Sequence, residues 1–134
     1  MSKALLQTAN TNAQTVAENG IISPGNILRR YGCNCRLNGN AIEVDGSGYY
    51  ALSGTVTLAP TAAGDVTIAL FKNGVAIPGA TATSSVAAAG DNVTLPIDTT
   101  IREGCCCDGA SQVTCVLTAG TSTVTNYSLR VEKK

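Results

Sequence analysis

Apolar and polar side chains alternate along most of this 134-residue chain. Tyr50, Leu52, Gly54, Val56 and Leu58 take one set of alternate positions, and Tyr49, Ala51, Ser53, Thr55 and Thr57 take the other. Successive side chains on a strand point to opposite faces, so this run predicts a strand buried on one side. The pattern recurs at Val66, Ile68 and Leu70, at Val93, Leu95 and Ile97, and at Val113, Cys115 and Leu117. It returns at Tyr127, Leu129 and Val131, opposite Asn126, Ser128 and Arg130. Pro96 inside one of these runs predicts an edge strand or a bulge, because proline has no N–H to give a ladder. Asn73-Gly74 is a hairpin signal, since both residues tolerate the positive φ of a type I′ turn. Asn38-Gly39, Asp45-Gly46, Gly90-Asp91, Asp108-Gly109 and Ala119-Gly120 supply further breaks. About eight or nine short strands divided this way predict an all-β sandwich or barrel. Periodicity does not choose between Greek-key and jelly-roll connectivity.

The first 13 residues are rich in Asn, Thr and Gln and carry no pattern that would bury them. Residues 1–30 are therefore expected to form an N-terminal arm or partner-docking segment, ahead of a β domain spanning 31–134. Within that arm, Ser23 to Arg30 could form a short helix with Pro24 at its first position.

Composition changes the picture in one respect. Apolar residues make up 44% of the chain and charged residues only 13%, with 9 basic and 9 acidic side chains in balance. A free domain usually relies on a more charged surface, so a bland, neutral one suits permanent burial against neighbours. The basic pairs Arg29-Arg30 and Lys133-Lys134 are too few to neutralise a run of phosphates, so no nucleic-acid partner is expected. No apolar run approaches the about 20 residues that a membrane helix needs, and no membrane partner is expected. The segment after Met1 lacks the roughly 7–15 apolar residues of an export signal, so cytoplasmic synthesis is expected.

Candidate chemistry is sparse. The chain has no histidine, which removes the commonest general base and metal ligand. The carboxylates are scattered beside glycines and at strand ends, where they read as turn residues. We therefore expect no enzyme and no cofactor. Six cysteines remain: Cys33, Cys35, Cys105, Cys106, Cys107 and Cys115. Three readings stay open for them. Thiolates of Cys33, Cys35, Cys105, Cys106 and Cys107 could hold zinc or an iron–sulfur cluster, although the spacing lacks paired C-x₂-C knuckles. They could form disulfides in an oxidising setting. They could also be reduced thiols packed as small hydrophobes, as Cys115 suggests on its apolar face.

One stretch goes beyond generic patterning. Gly48-Tyr49-Tyr50 opens a strand, and Leu70-Phe71-Lys72-Asn73-Gly74-Val75-Ala76-Ile77-Pro78-Gly79 forms a hairpin. With Ile42-Glu43-Val44 before them and Tyr127-Ser128-Leu129-Arg130-Val131-Glu132 at the end, they resemble the tumour-necrosis-factor-like and complement-head-like jelly rolls of bacteria and phages. The stretch is similar in particular to the C-terminal domains of Bacillus spore-surface collagen-like glycoproteins, over about residues 36–132. The resemblance implies a two-sheet antiparallel jelly-roll sandwich of ten strands that packs as a homotrimer. It further implies that Tyr49, Ala51, Ser53 and Thr55 line the trimer axis. This chain departs from the spore proteins in having no collagen-like stalk.

The resulting expectation is a structural protein on a virion surface: a head decoration, head fibre or tail-associated trimer. It would dock on capsid or tail proteins through the N-terminal arm. The alternatives are a receptor- or glycan-binding adhesin, using loops near Ala87-Ala88-Ala89-Gly90 and residues 104–109, and a thiolate metal or redox protein.

Overall fold

A computed structural model describes residues 4–32, 35–45, 48–103 and 111–133. Its described residues contain twelve strands and no helix. They are β1 (Leu5–Asn10), β2 (Gln14–Val16), β3 (Gly20–Ile22), β4 (Asn26–Tyr31), β5 (Cys35–Asn38) and β6 (Ala41–Val44). They continue with β7 (Gly48–Pro60), β8 (Gly64–Lys72), β9 (Val75–Val86), β10 (Val93–Glu103), β11 (Ser111–Ala119) and β12 (Ser122–Lys133). A front sheet runs in the order β10-β7-β12-β1-β4, with β2 also paired to β12. A back sheet runs β5-β6-β11-β8-β9, with β3 paired to β11. All pairings are antiparallel, and from β6 to β12 only β8–β9 is a sequential pair within one sheet. That back-and-forth crossing makes the sandwich a jelly roll, as expected, and the short strands β2 and β3 raise the strand number above ten.

The period-2 pattern explains the core. Along β7 the buried side chains are Tyr50, Leu52, Val56 and Leu58, facing Val66, Ile68 and Leu70 of β8 and Val113, Cys115 and Leu117 of β11 across the sandwich. Tyr127, Leu129 and Val131 of β12 complete the front layer. Tyr50 is fully buried, yet its hydroxyl donates to the Asp45 carbonyl at 2.8 Å, so the ring adds apolar area without an orphaned polar group. Asn73 and Gly74 both take positive φ (53° and 82°) and close the β8–β9 hairpin as their sequence predicts. Pro96 lies on β10, an edge strand, as its missing N–H predicts.

Two expectations for the N-terminal region are corrected. The described part of the expected 1–30 arm, residues 4–30, is not an arm: β1 lies between β12 and β4 in the front sheet, and β3 extends the back sheet. Ala4, Leu6, Val16 and Ile22 are buried in the core, and the buried Thr8 hydroxyl reaches the Leu129 carbonyl at 3.5 Å. Their spacing hides them, because polar Gln, Thr and Asn residues fill the outward positions and the intervening turns. Ser23 to Arg30 is not helical either. A helix of one or two turns is too short to nucleate alone, whereas β1 offers Asn26 to Tyr31 a complete hydrogen-bonding edge.

Candidate functional site

The outward surface of the front sheet is the part of the molecule most unlike an ordinary solvated face. Antiparallel register places its side chains in rows across the strands. One row is Thr100, Ala51, Glu132, Leu5 and Tyr31, from β10 through β7, β12 and β1 to β4. The next is Asp98, Ser53, Arg130, Gln7 and Arg29. A third is Pro96, Thr55, Ser128, Ala9 and Asn26. Small side chains, Ala51, Ser53, Thr55, Ser128 and Ala9, thus fill much of the middle of this face, around the longer Gln7 and Arg130. Tyr49, 56% exposed, stands at the end of β7 opposite Arg102.

Small side chains leave a shallow dimple of about 200 Å³, lined by Gln7, Ser53, Gly54, Thr55, Ser128 and Arg130. Gly54 has no side chain for a physical reason. A Cβ there would press into the Ser128 carbonyl oxygen and come within 3.0 Å of the Leu129 side chain. The β7–β12 pair thus leaves no room for a side chain at this position.

The two sheet surfaces differ in how their polar groups are used. On the back sheet, Glu43 accepts bonds from Arg36 Nε at 2.9 Å and from the Asn38 and Gln112 amides at 3.2 Å. Those bonds, the Asn38 amide foremost, hold the Glu43 carboxyl below its ordinary value. Thr67 and Thr83 pair at 3.0 Å, and the Ser85 hydroxyl donates to Asp65. The ion pairs among the described residues, Arg36 with Glu43 and with Asp45, also lie on that side. On the front face, Arg130 and Asp98 make no ion pair among the described residues. Among the described residues, the ion pairs thus gather on the back surface, while Arg130 and Asp98 on the front have none.

A second concavity, about 290 Å³, lies where the β8–β9 turn meets the end of β10. Val75, Ile77, Pro78 and Ile101 line it, and Lys72 Nζ donates across it to the Arg102 carbonyl at 2.9 Å. That bond ties the hairpin to the front sheet.

The cysteine readings divide. Cys33, Cys105, Cys106 and Cys107 lie outside the described residues. Cys35 and Cys115 carry free, buried thiols. Burial pushes the Cys35 thiol up to about 11 and the Cys115 thiol up to about 12, which favours the neutral form over a metal-binding thiolate. Cys115 meets Tyr127 across the sandwich, and burial drives that phenol well above its ordinary range. Among the described residues, no three His, Cys, Asp or Glu side chains gather as a metal site would require. No helix among them is long and apolar enough to cross a membrane. Of the adhesin loops, Ala87 to Gly90 is an exposed turn, and residues 104–109 lie outside the described residues.

The sequence places Tyr49, Ala51, Ser53 and Thr55 together on one strand face, and the structure puts them on the outward surface. Sequence reading missed Gln7, Asp98, Ser128 and Arg130 as their companions. The alternation of β12 separates Ser128 and Arg130 from the core, but nothing in the pattern says that β12 lies beside β7.

No protein-family model matches the chain, and no curated protein sequence matches it. Solved structures match its fold along nearly its whole length. Murine APRIL aligns with a TM-score of 0.75 at 11% identity, covering 99% of this chain and 100% of that one. The globular domain of zebrafish complement 1qA aligns at 0.69 and 7% identity, covering 96% and 94%. The PRD1 vertex protein P5 aligns at 0.63 and 11% identity, covering 97% and 96%. The chain therefore has the two-sheet jelly roll of the tumour-necrosis-factor-like and complement-head-like structures.

Proposed function

We propose that this chain is a non-catalytic structural protein that assembles with itself, as a homotrimer, on the surface of a virion. The front face carries the reading: small side chains dominate its interior strands, and its Arg130 and Asp98 have no ion-pair partner among the described residues. β10, β7 and β12 run about 40 Å each and the six-residue β1 and β4 about 20 Å, with about 4.8 Å of width per strand. The face therefore covers about 800 Å², the size that each partner contributes to a stable protein interface. Small central side chains let a second backbone approach closely, and Tyr49 supplies an aromatic of the kind enriched in interfaces. The twelve-strand sandwich shares its fold with a phage vertex protein, which supports the particle setting.

Docking on a capsid or tail would use surfaces left outside this face, since β1 to β4 are committed to the sheets. Light scattering at micromolar concentration tests the assembly step. The expected result is a species of three times the 13.6 kDa chain mass. A monomer under those conditions would overturn the reading. Imaging of native particles with a labelled chain then tests the location, with threefold-clustered label on the particle exterior as the expected result.

A further inference from the structure

We propose that the Asp98 carboxylate of one copy of this chain seats in the Arg130 dimple of the next copy and so sets the register of self-association. The inference rests on the front face being the surface through which copies meet.

The dimple is built to receive a carboxylate. Arg130 forms one wall, and Ser53, Thr55, Ser128 and Gln7 add three hydroxyls and an amide around it. A guanidinium with neighbouring neutral donors matches the two oxygens and the charge of a carboxylate side chain. The space is about 200 Å³, enough for one such side chain. The Arg130 guanidinium has no ion-pair partner among the described residues, and neither has Asp98.

The row that holds both residues explains why the partner is a second molecule. Arg130 and Asp98 both pair with Ser53, from opposite sides of β7. Two strand spacings, about 10 Å, therefore separate them in one chain. Asp98 belongs to β10, the edge strand, so its side chain is at the border of the sheet where another molecule can reach it. Arg130 belongs to the interior strand β12. Each copy thus presents an acid at its rim and an unanswered cation nearer its centre. A contact between unlike patches of this kind is head-to-tail, and it closes a ring when its rotation divides the full circle, as in a trimer. Closing the face without the pair would bury Arg130 uncompensated, which is costly, so correct register is favoured over slipped ones.

The test uses single and paired charge reversals of the full chain, with association measured by sedimentation equilibrium. Arg130→Asp and Asp98→Arg should each weaken association at least about tenfold. The double variant, Arg130→Asp with Asp98→Arg, should recover most of that loss. Circular dichroism checks that each variant is folded. Should a reversal fail to fold, the neutral variants Arg130→Gln and Asp98→Asn should show a smaller loss in the same direction. If the wild type associates but every folded single variant associates equally well, the pairing is wrong and the face reading stands. Failure of the double variant to recover overturns the pairing in the same way. A monomeric wild type overturns both.

Discussion

Gly54 is the residue at which the front sheet has least room. Any side chain there would meet the Ser128 carbonyl and the Leu129 methyl from the neighbouring strand. Gly54→Val should therefore destabilise the domain by about 1–3 kcal/mol, seen as a lower urea midpoint. Cys115, Cys35 and Tyr127 give a second residue-scale outcome. Their neutral forms are favoured in the folded chain, so their support is complete below the ordinary thiol value of 9.0. It is lost as pH rises from there through about 11 and about 12. Stability by chemical denaturation should fall steadily above pH 9, and Cys115→Ala should flatten that slope. Glu43 acts in the opposite sense, with its carboxylate bonds supporting the fold above 4.5 and weakening as acid protonates it. Sequence made the burial of Cys115 legible, because it sits between Val113 and Leu117 in an alternating run. The same alternation reaches Cys35, between Asn34 and Arg36 and two residues before Leu37, but the run is too short to separate a buried strand from a loop.

At the scale of elements, the β8–β9 turn does more than reverse the chain. The Asn73 side-chain Oδ1 accepts from the Gln112 backbone N–H at 2.9 Å, its Nδ2 donates to the Ser111 hydroxyl at 3.4 Å, and the Asn73 backbone N–H donates to the Gln112 carbonyl at 2.8 Å. The hairpin is thereby fastened to β11. Asn73→Ala should cost about 1–2 kcal/mol through lost hydrogen bonds and a less favourable left-handed backbone. The check is a shifted denaturant midpoint with an unchanged slope. β1 gives a sharper test. Deleting residues 1–10 removes a strand whose backbone pairs on both sides and whose Leu6 is fully buried. The truncated chain should lose its cooperative unfolding transition, whereas a dispensable arm would leave that transition unchanged. The hairpin was legible because its signal is local, two residues with one backbone requirement. β1 was not, because a polar strand takes its place from partners that local pattern does not name, as Gln7 does from Arg29 on one side and Arg130 on the other.

For the whole molecule, the sandwich class followed from alternation and turn spacing, and the jelly-roll wrapping followed from the short motifs around Asn73-Gly74. The composition of the front face was half legible. Its β7 members could be read from one strand, while its β1, β10 and β12 members required knowledge of strand order. A bulky charge at its centre separates assembly from folding. Ser53→Arg, on the outward side of β7, should leave the thermal midpoint of the isolated chain within a few degrees while reducing the assembled species to monomer. Size-exclusion chromatography with light scattering reads both forms, and a variant that still assembles would move the interface elsewhere.

The position of β12 has a consequence for time as well as for shape. The strand farthest along the described chain lies between β7 and β1 at the middle of the front sheet. Until it arrives, β1 and β7 each have an open hydrogen-bonding edge facing the gap. A front sheet closed by such distant partners must form late, and pairings of this range place folding in the millisecond-to-second regime. A ribosome paused before residue 122 would hold out a half-built sheet with two adhesive borders. Chains emerging side by side on one message would then be exposed to mispairing during that interval, and quick delivery of the last strand becomes a condition of yield.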